Sequence, residues 1–359
     1  MKNRNLEFEK SLSGKRILIT GHTGFTGGWA YLWLEKIGAK LLGFSLPADT
    51  KPSLFEELDK DGPIPTEYGD IRNYKEFLNI VQTFKPEIIL HLAAQTLVRR
   101  SYLEPLKTIS VNALGTANVL EVARNVNSVK AVLCVTTDKV YQNHELWPYR
   151  ETDSLGGKDP YSASKAAAEM IAKSYSDSFG NYNNKALCIA TARGGNIIGG
   201  GDWAQDRLIP DFVRAVTNKG NLTIRFPNAT RPWQHVLALV NGYLILMAGM
   251  ISKDSFNYAK PWNFGPESKK HYSVIQVLEM MSREWERPNL NYMKNPLPES
   301  NELALDSSKA RKILGWNTPW DTHRVVSETI SWYKDYYNST ESTRDLTLRQ
   351  IEQWRKELK

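Results

Sequence analysis

Apolar runs of six or seven residues alternate with amphipathic segments along the first half of the chain. The runs lack strict alternation of polar and apolar positions, which is typical of strands buried on both faces. They predict strands at residues 15–20, 40–46, 87–93, 131–137 and 185–191. Apolar residues at helical spacing predict helices at residues 25–37, 74–84, 105–124 and 161–179. Strands that alternate with helices indicate an α/β fold with a doubly wound parallel sheet.

The pattern changes after about Gly194. Loops rich in Gly, Pro, Trp and Asn separate short helices, and such loops often form one wall of a ligand cleft. The sequence therefore predicts a main domain over residues 14–193 and a smaller C-terminal lobe over residues 194–337 that interleaves with the sheet. Residues 338–359 are polar and predict a surface helix or tail.

Composition excludes several classes of protein. Hydrophobic residues make up 41% of the 359 positions and charged residues 24%, which excludes a disordered chain or a coiled coil. The most apolar stretch, residues 236–251, contains Asn241 and predicts a buried helix instead of a membrane span. The first residues lack the apolar core of a secretory signal, so we expect a cytoplasmic protein. Two cysteines, Cys134 and Cys188, are too few for a disulfide framework or a zinc site, and no metal is expected.

The net charge of +7 favours an anionic partner. The 46 basic residues are scattered and form no dense run, so a small anionic metabolite is favoured over nucleic acid.

A glycine-rich turn, GHTGFTG at residues 21–27, stands between the first strand and the first of these helices. Glycines let a backbone approach a pyrophosphate closely, and a helix N-terminus offers free N–H groups and a positive dipole end. The motif predicts a nucleotide-binding turn made of Gly21, His22, Thr23, Gly24, Phe25 and Gly27.

The second strand should end in an acidic residue that binds the adenosine ribose, but it ends with Ser45 and Leu46. The nearest acid, Asp49, lies beyond Pro47. No arginine stands there to accept a 2′-phosphate, so NAD is favoured over NADP, with Ser45 as a ribose contact.

Two further motifs carry candidate catalytic groups. Tyr161 and Lys165 are four residues apart at the start of a predicted helix, so the ammonium can stand near the phenol and favour phenolate. Thr137, Asp138 and Lys139 follow the fourth predicted strand, and catalytic groups of open α/β sheets collect at such strand ends.

The order of these motifs resembles the extended short-chain dehydrogenase/reductase family, from about Gly14 to Tyr337. The resemblance implies a Rossmann-type fold, bound NAD, and catalysis by Thr137, Tyr161 and Lys165. It also implies that Tyr161 and Lys165 contact the cofactor together with Asp70, Ile71, Leu92, Ala93 and Ala94.

The segments GGNIIGGGDWAQDRLIPD and RPWQHV are similar to those of nucleotide-sugar enzymes within that family. This implies that the second lobe binds a nucleotide sugar, with arginines that grip its diphosphate. The implied substrate contacts are Gln95, Arg99, Asn196, Arg207, Leu208, Arg231 and His235.

Within these enzymes the chain resembles the CDP-glucose branch of the 4,6-dehydratases. The resemblance implies that Tyr161 removes the 4-hydroxyl proton of CDP-D-glucose, Thr137 steadies that oxygen, and Asp138 protonates the departing 6-hydroxyl. The product is then CDP-4-keto-6-deoxy-D-glucose, a precursor for deoxysugars such as those of a lipopolysaccharide O-antigen. Lys139 stands where the thymidine-linked enzymes have a glutamate that acts as the C5 base. It is either neutral at that step, or serves only to position the leaving group, or another base acts.

Three alternatives remain open from the sequence: a C4 epimerase, a 4-keto reductase, and a non-catalytic dinucleotide sensor. Simple epimerisation needs no acid at C6, so Asp138 and Lys139 favour a dehydratase. A sensor would be expected to lack Tyr161 or Lys165. The resemblance further implies a homodimer or higher homo-oligomer, packed through the predicted helices 105–124 and 161–179.

Overall fold

The computed structural model describes residues 6–142, 148–182, 185–266, 272–293 and 304–358. The strands are β1 (Arg16–Thr20), β2 (Lys40–Ser45), β3 (Thr66–Tyr68), β4 (Ile88–His91), β5 (Ala131–Val135), β6 (Asn181–Tyr182), β7 (Lys185–Ala186), β8 (Cys188–Gly194), β9 (Ile197–Ile198), β10 (Asn221–Ile224), β11 (Thr230–Arg231), β12 (Gln234–His235), β13 (Pro261–Phe264), β14 (Tyr272–Ser273) and β15 (Asn289–Tyr292). The α-helices are α1 (Glu7–Leu12), α2 (Phe25–Lys36), α3 (Leu54–Lys60), α4 (Tyr74–Phe84), α5 (Val98–Leu103), α6 (Pro105–Ile109), α7 (Gly115–Asn125), α8 (Pro160–Phe179), α9 (Leu208–Thr217), α10 (Val236–Met250), α11 (Val274–Glu284), α12 (Thr322–Asn338) and α13 (Thr343–Glu357).

A seven-stranded parallel sheet forms the centre of the described structure, in the order β13-β8-β5-β4-β1-β2-β3. This confirms the predicted α/β doubly wound fold. Strand order reverses at β1, which pairs with β2 on one side and β4 on the other. The carboxyl ends of all seven strands therefore meet at one edge, where the crevice of such a sheet lies.

The strands have almost fully buried side chains because helices cover both faces of the sheet. The predicted helix over residues 105–124 is divided: α6 runs into a π-helical turn, Ser110–Leu114, and then into α7. Helix α10 is apolar on every side and buried, as the sequence predicts. In the described part of the chain, no helix combines the length and apolar character needed to cross a membrane.

The C-terminal half contributes more to the core than its loop-rich sequence indicates. Strand β13, which the sequence analysis missed, forms the sheet edge beside β8. The glycine at position 200 lets Trp332 pack directly against the backbone, since a Cβ there would lie 1.9 Å from the Trp332 ring. Residues 267–271 and 294–303 of the predicted second lobe lie outside the described residues.

The prediction that residues 338–359 form a polar surface helix or tail is only half right. Helix α13 exists, but Leu346, Ile351 and Trp354 on one of its faces are fully buried. Arg355 of this helix also pairs with Glu9 at 2.7 Å, which ties α13 to α1. Three apolar residues in an otherwise charged stretch are enough to anchor an amphipathic helix to the core.

Candidate active site

The glycine turn after β1 has a shape that only glycine allows. Gly21 has a φ of +75°, and a Cβ on it would lie 2.6 Å from the Ala93 nitrogen at the end of β4. A Cβ on Gly27 would lie 2.5 Å from the Gly21 carbonyl oxygen. Gly24 begins helix α2 without a side-chain cap, so the first N–H groups of that helix are open to a ligand. These features fit a pyrophosphate bound at the helix N-terminus.

At the end of β2, where an acidic residue is expected, the structure has two hydroxyl groups, those of Thr23 and Ser45. Thr23 Oγ1 lies 2.8 Å from Ser45 Oγ and donates to the Leu46 carbonyl at 2.9 Å. Asp49 lies farther on and pairs with Arg100 at 2.8 Å. Sequence reasoning missed Arg100 because it lies on α5, 51 residues after Asp49 in the chain.

Asp70 and Ile71 follow β3 in a turn stabilised by Arg72. The Arg72 guanidinium bonds both Asp70 carboxylate oxygens and holds the pKa of that carboxyl below its ordinary value. Asn118 of α7 donates to the Ile71 carbonyl at 3.1 Å, which attaches this turn to that helix.

The His22 side chain is buried, so the cofactor contact predicted for His22 is left to its backbone. The imidazole is buried under β2, edge-on to Phe55, and its Nε2 lies 2.9 Å from Thr66 Oγ1. Burial lowers the pKa of His22 to about 4, so the ring is neutral. Only the backbone of His22 lies in the glycine turn.

A buried polar network positions the end of β4. His91 lies between two hydroxyls, with Thr20 Oγ1 2.7 Å from Nδ1 and Thr116 Oγ1 3.1 Å from Nε2. Thr116 donates to the Asn112 carbonyl, so its oxygen accepts from His91 Nε2, and Thr20 donates to Nδ1. Burial lowers the pKa of His91 to about 3. The half-buried segment that follows, Leu92, Ala93 and Ala94, lies beside the glycine turn.

Gln95 braces its own loop. Its amide donates to the Leu97 carbonyl and Thr108 Oγ1, and accepts from the Leu97 N–H. Asn112, in the π-helical turn, bonds both backbone polar groups of Gln95 and also Ser164 on α8. Both N–H groups of the Gln95 amide are therefore used inside the protein, and the substrate contact predicted for Gln95 stays a prediction.

Three candidate catalytic side chains form one chain of contacts at the end of β5. The Thr137 side chain lies beside Tyr161 and acts to lower the pKa of its phenol, and the Thr137 hydroxyl donates to Asp138 Oδ1 at 3.0 Å. The other Asp138 oxygen is buried and has no partner among the described residues. Asp138 is 1% exposed and begins a short 3₁₀ turn, Asp138–Val140, whose N-cap is Thr137. The arrangement can pass a proton between a phenol, a hydroxyl and a carboxylate.

Tyr161 and Lys165 lie in the first two turns of α8, which is capped by Asp159. Burial raises the pKa of Tyr161 to about 12 and lowers that of Lys165 to about 8. Lys165 Nζ donates to the Val135 carbonyl at 3.0 Å, which places the ammonium at the end of β5. Lys139, by contrast, is half-buried, and its ammonium has no partner in the described part of the chain.

Arginines surround the opposite side of the crevice. Arg207 pairs with Asp202 at 2.8 Å, and its charge lowers the pKa of Tyr161. Arg99 and Arg225 both bind Asp206 Oδ1, at 2.6 and 2.9 Å. Sequence reasoning missed Arg225, because nothing in its local sequence distinguishes it from a surface arginine.

The remaining predicted substrate residues separate into two groups. Asn196 is half-buried, Leu208 begins α9, and Arg231 is buried with one N–H donating to the Thr230 carbonyl. His235 is different, because its ring is wholly buried among three tryptophans and its Nδ1 accepts from the Leu237 N–H. The prediction that His235 contacts substrate is wrong. The tryptophans are Trp29, Trp320 and Trp354.

Comparisons with known proteins show the family of this chain. The family model "GDP-mannose 4,6 dehydratase" matches residues 18–329. A CDP-glucose 4,6-dehydratase from Salmonella typhimurium is 42% identical over 327 residues, covering 89% of this chain and 91% of that protein.

Solved structures share the fold. A UDP-glucose 4-epimerase from Thermotoga maritima, in a structure with UDP-glucose, has a TM-score of 0.78 at 21% identity and covers 90% of this chain and all of its own. A dTDP-glucose 4,6-dehydratase from Streptomyces venezuelae, in a structure with NAD and TYD bound, has a TM-score of 0.76 at 22% identity and covers 89% and 97%. With its crevice, its Tyr-x-x-x-Lys helix and the match over residues 18–329, the chain belongs to the GDP-mannose 4,6 dehydratase family of extended short-chain dehydrogenase/reductases.

Proposed function

We propose that this protein is a nucleotide-sugar 4,6-dehydratase that converts CDP-D-glucose to CDP-4-keto-6-deoxy-D-glucose. The contact chain from Tyr161 through Thr137 to Asp138 carries the proposal. It places one group that takes a proton from a hydroxyl beside a second group that gives a proton to a leaving hydroxyl. The 42% identical relative that bears the CDP-glucose name supports the choice of substrate.

The crevice fits NAD on the evidence of its own geometry. The open N-terminus of α2 and the close approach of Gly21 to Ala93 leave room for a pyrophosphate. We propose that Ser45, Asp70 and Ile71 lie along its adenosine half. When bound there, NAD supplies the acceptor and donor of the hydride that leaves C4 and is returned at C6.

The protein's own residues then handle the protons. Tyr161 takes the proton of the sugar 4-hydroxyl, and we assign Thr137 to steadying that oxygen, with its hydroxyl turned from Asp138 to the sugar. Lys165 favours the phenolate by its positive charge. The 4-keto group acidifies the C5 proton. A general base takes that proton, a C5–C6 double bond forms as the 6-hydroxyl leaves as water, and the base returns the proton to C5 when the hydride is added at C6. Asp138, shielded from water, gives its proton to the departing 6-hydroxyl.

Lys139 has a different task in this proposal. An ammonium donates hydrogen bonds and cannot accept a proton, so we assign Lys139 to positioning the sugar 6-hydroxyl beside Asp138. Lys139→Met should then slow water loss while C5 still exchanges its hydrogen with D2O. Loss of that exchange would instead identify Lys139 as the C5 base.

We propose that Arg99, Arg207, Arg225 and Arg231 hold the diphosphate, with Asn196 and Leu208 beside it. In the structure Asp202 and Asp206 form ion pairs with three of these arginines. The diphosphate of a nucleotide sugar presents its charged oxygens to all of these guanidinium groups at one place, and arginine binds phosphate bidentately.

A second copy of the chain is the expected partner. Apolar side chains of α5, α6, the π-helical turn and α8 are exposed to 45–83%, and these helices contact one another. Water-exposed apolar patches of this kind mark interfaces, and a two-fold dimer would cover both copies at once. The exposed residues are Leu103, Leu106, Ile109, Leu114 and Met170.

Product masses test the function directly. The purified protein is incubated with NAD and, separately, with CDP-glucose, UDP-glucose, dTDP-glucose and GDP-mannose. Loss of one water from CDP-glucose, without net reduction of NAD, is the expected result. A product that keeps its mass and is epimerised at C4, as seen by NMR, would replace the proposal with an epimerase. Loss of water from another sugar nucleotide alone would overturn only the assignment of the base.

A further inference from the structure

Glu169 and Arg193 form an ion pair that is completely buried beneath the candidate active site. Arg193 Nη2 donates to Glu169 Oε2 at 2.8 Å, and each side chain is 3% exposed. Two hydroxyls give further hydrogen bonds to the Glu169 carboxylate: Thr191 donates to Oε2 and Thr136 donates to Oε1. Replacing buried ion pairs by apolar groups is often neutral or stabilising, so stability alone does not account for this one.

The pair holds both ends of the segment that carries Thr137 and Asp138. Thr136, which bonds Glu169, directly precedes this segment. Tyr141 ends it, and its hydroxyl accepts from Arg193 Nη1 at 2.8 Å while its ring lies 4.9 Å under the guanidinium carbon. The Tyr141 hydroxyl in turn donates to Asn263 of β13 at 2.7 Å.

The same pair holds the helix that carries the other half of the site. Glu169 lies one turn beyond Lys165 and two turns beyond Tyr161, so the three side chains project from one face of α8. Rotation or sliding of α8 against the sheet would therefore have to break the contact between Glu169 and Arg193.

We propose that Glu169 and Arg193 are positioning residues: their ion pair sets the distance between Tyr161 and Lys165 on α8 and Thr137 and Asp138 after β5. The inference rests on the proposed dehydratase reaction, in which these groups from two separate segments act on one sugar. A displacement of about 1 Å between such groups can cost on the order of 100-fold in rate.

The charges around Lys165 support this role. Burial lowers the pKa of its ammonium to about 8, and the negative charge of Glu169 acts to raise it. His91 also faces this lysine from β4, and it is neutral. Loss of the Glu169 charge should therefore lower the pKa of Lys165 further, and the lysine favours the Tyr161 phenolate only while it is protonated.

The test is Glu169→Gln, which keeps the shape of the side chain and removes its charge. We expect kcat for CDP-glucose to fall about 10- to 100-fold while KM changes by less than about threefold, because the substrate-binding arginines are untouched. The alkaline limb of the kcat profile should move to lower pH. A purely structural role would lower thermal stability but leave the kcat of the folded enzyme and its pH profile unchanged.

Glu9→Gln is the matched control. It removes the carboxylate of another Arg–Glu pair, with Arg355, which joins α1 to α13 away from the site. Its kcat and pH profile should equal those of the wild type. Equal losses in both variants, or a wild-type profile for folded Glu169→Gln, would overturn the inference.

If Glu169→Gln does not fold, two variants that change no charge test the positioning role instead. Thr136→Val and Tyr141→Phe each release one end of the catalytic segment and leave the ion pair in place, and each should lower kcat several-fold with little change in KM. Wild-type kcat in both would refute the positioning role. A wild-type enzyme that converts none of the four sugar nucleotides would instead refute the proposed function on which the inference rests.

Discussion

Tyr161 shows how strongly its surroundings control a single candidate catalytic side chain. Burial raises the pKa of its phenol to about 12, which would leave it protonated and inert as a base at neutral pH. The Thr137 side chain and the Arg207 charge act in the opposite direction. Lys165 adds a buried positive charge one helical turn away. The phenol thus depends on cationic neighbours to become a base.

Tyr161→Phe removes the hydroxyl and keeps the buried ring. We expect kcat to fall on the order of 10²- to 10⁴-fold, the usual contribution of general acid–base catalysis, with the melting temperature nearly unchanged. Steady-state rates and a thermal melt measure the two effects. Tyr292→Phe, at a tyrosine that is 58% exposed, is the control. Normal turnover by Tyr161→Phe would remove this residue from the mechanism.

At the scale of elements, the shape of the turn between β1 and α2 depends on a close contact between two backbone segments. The Gly27 Cα packs against the Gly21 carbonyl and the His22 Cα, so the first turn of α2 lies directly on the glycine turn. This contact aims the open N-terminus of α2 at the carboxyl edge of the sheet, where the dipole and the free N–H groups favour an anion.

Gly27→Ala should disturb that contact. The new methyl group would lie 2.5 Å from backbone atoms that cannot rotate away, so the turn must shift. We expect the Kd for NAD to rise at least about tenfold, because one lost or strained phosphate contact costs about 1.4 kcal/mol or more. Calorimetric titration measures the change. Gly220→Ala is the control, because nothing lies within 4 Å of a Cβ at that position, and equal Kd values in both variants would contradict the account.

At the scale of the whole molecule, the exposed apolar face of α6 and α8 is the surface through which we propose that two copies of the chain pair. Leu106 is 82% exposed and Met170 is 65% exposed. We expect Leu106→Glu combined with Met170→Glu to reduce the mass in solution from two chains to one, because four charges would meet at the two-fold interface. Analytical ultracentrifugation measures this. Ile313→Glu, at an exposed apolar residue on another surface, should leave the mass unchanged; a wild-type mass of one chain would disprove the dimer.

The buried histidines make the fold sensitive to acid. Burial lowers the pKa of His22 to about 4 and those of His91 and His235 to about 3. In the unfolded chain each takes up a proton near pH 6.5, so the folded state binds fewer protons below that pH. The free energy of unfolding should therefore fall as pH drops from about 6.5 toward 4, by roughly 1.4 kcal/mol per pH unit for each histidine.

Urea unfolding at pH 7.5, 6 and 5 measures that slope. His235→Phe keeps an aromatic ring among the tryptophans and should reduce the slope by about a third, since one of the three titrating groups is gone. A free energy of unfolding that does not change between pH 6.5 and 5 would contradict the assignment of these rings as neutral.

Local patterns were sufficient for the sheet and for the order of the chemical motifs. Buried parallel strands read as continuous apolar runs, and helices read as periodic ones, so β1, β2, β4, β5 and β8 could all be predicted. The division of helix 105–124 could not, because a π-helical turn is stabilised by what Asn112 contacts across space. Strand β13 was missed because a four-residue run with a proline and an asparagine gains its strand character only beside β8.

The sequence by itself determined the α/β class and the place of the glycine turn, and it singled out Thr137, Asp138, Tyr161 and Lys165 as candidate catalytic residues, because each depends on residue types at fixed local spacing. Only the tertiary structure decided which polar residues face the crevice. It turned His22 and His235 into the core and folded the Gln95 amide onto its own loop, whereas it brought Arg225 to Asp206. It also joined Glu169 to Arg193 beneath both catalytic segments. The residue type of a polar side chain does not show whether it contacts a ligand or a buried partner. That depends on contacts between residues that are far apart in the chain.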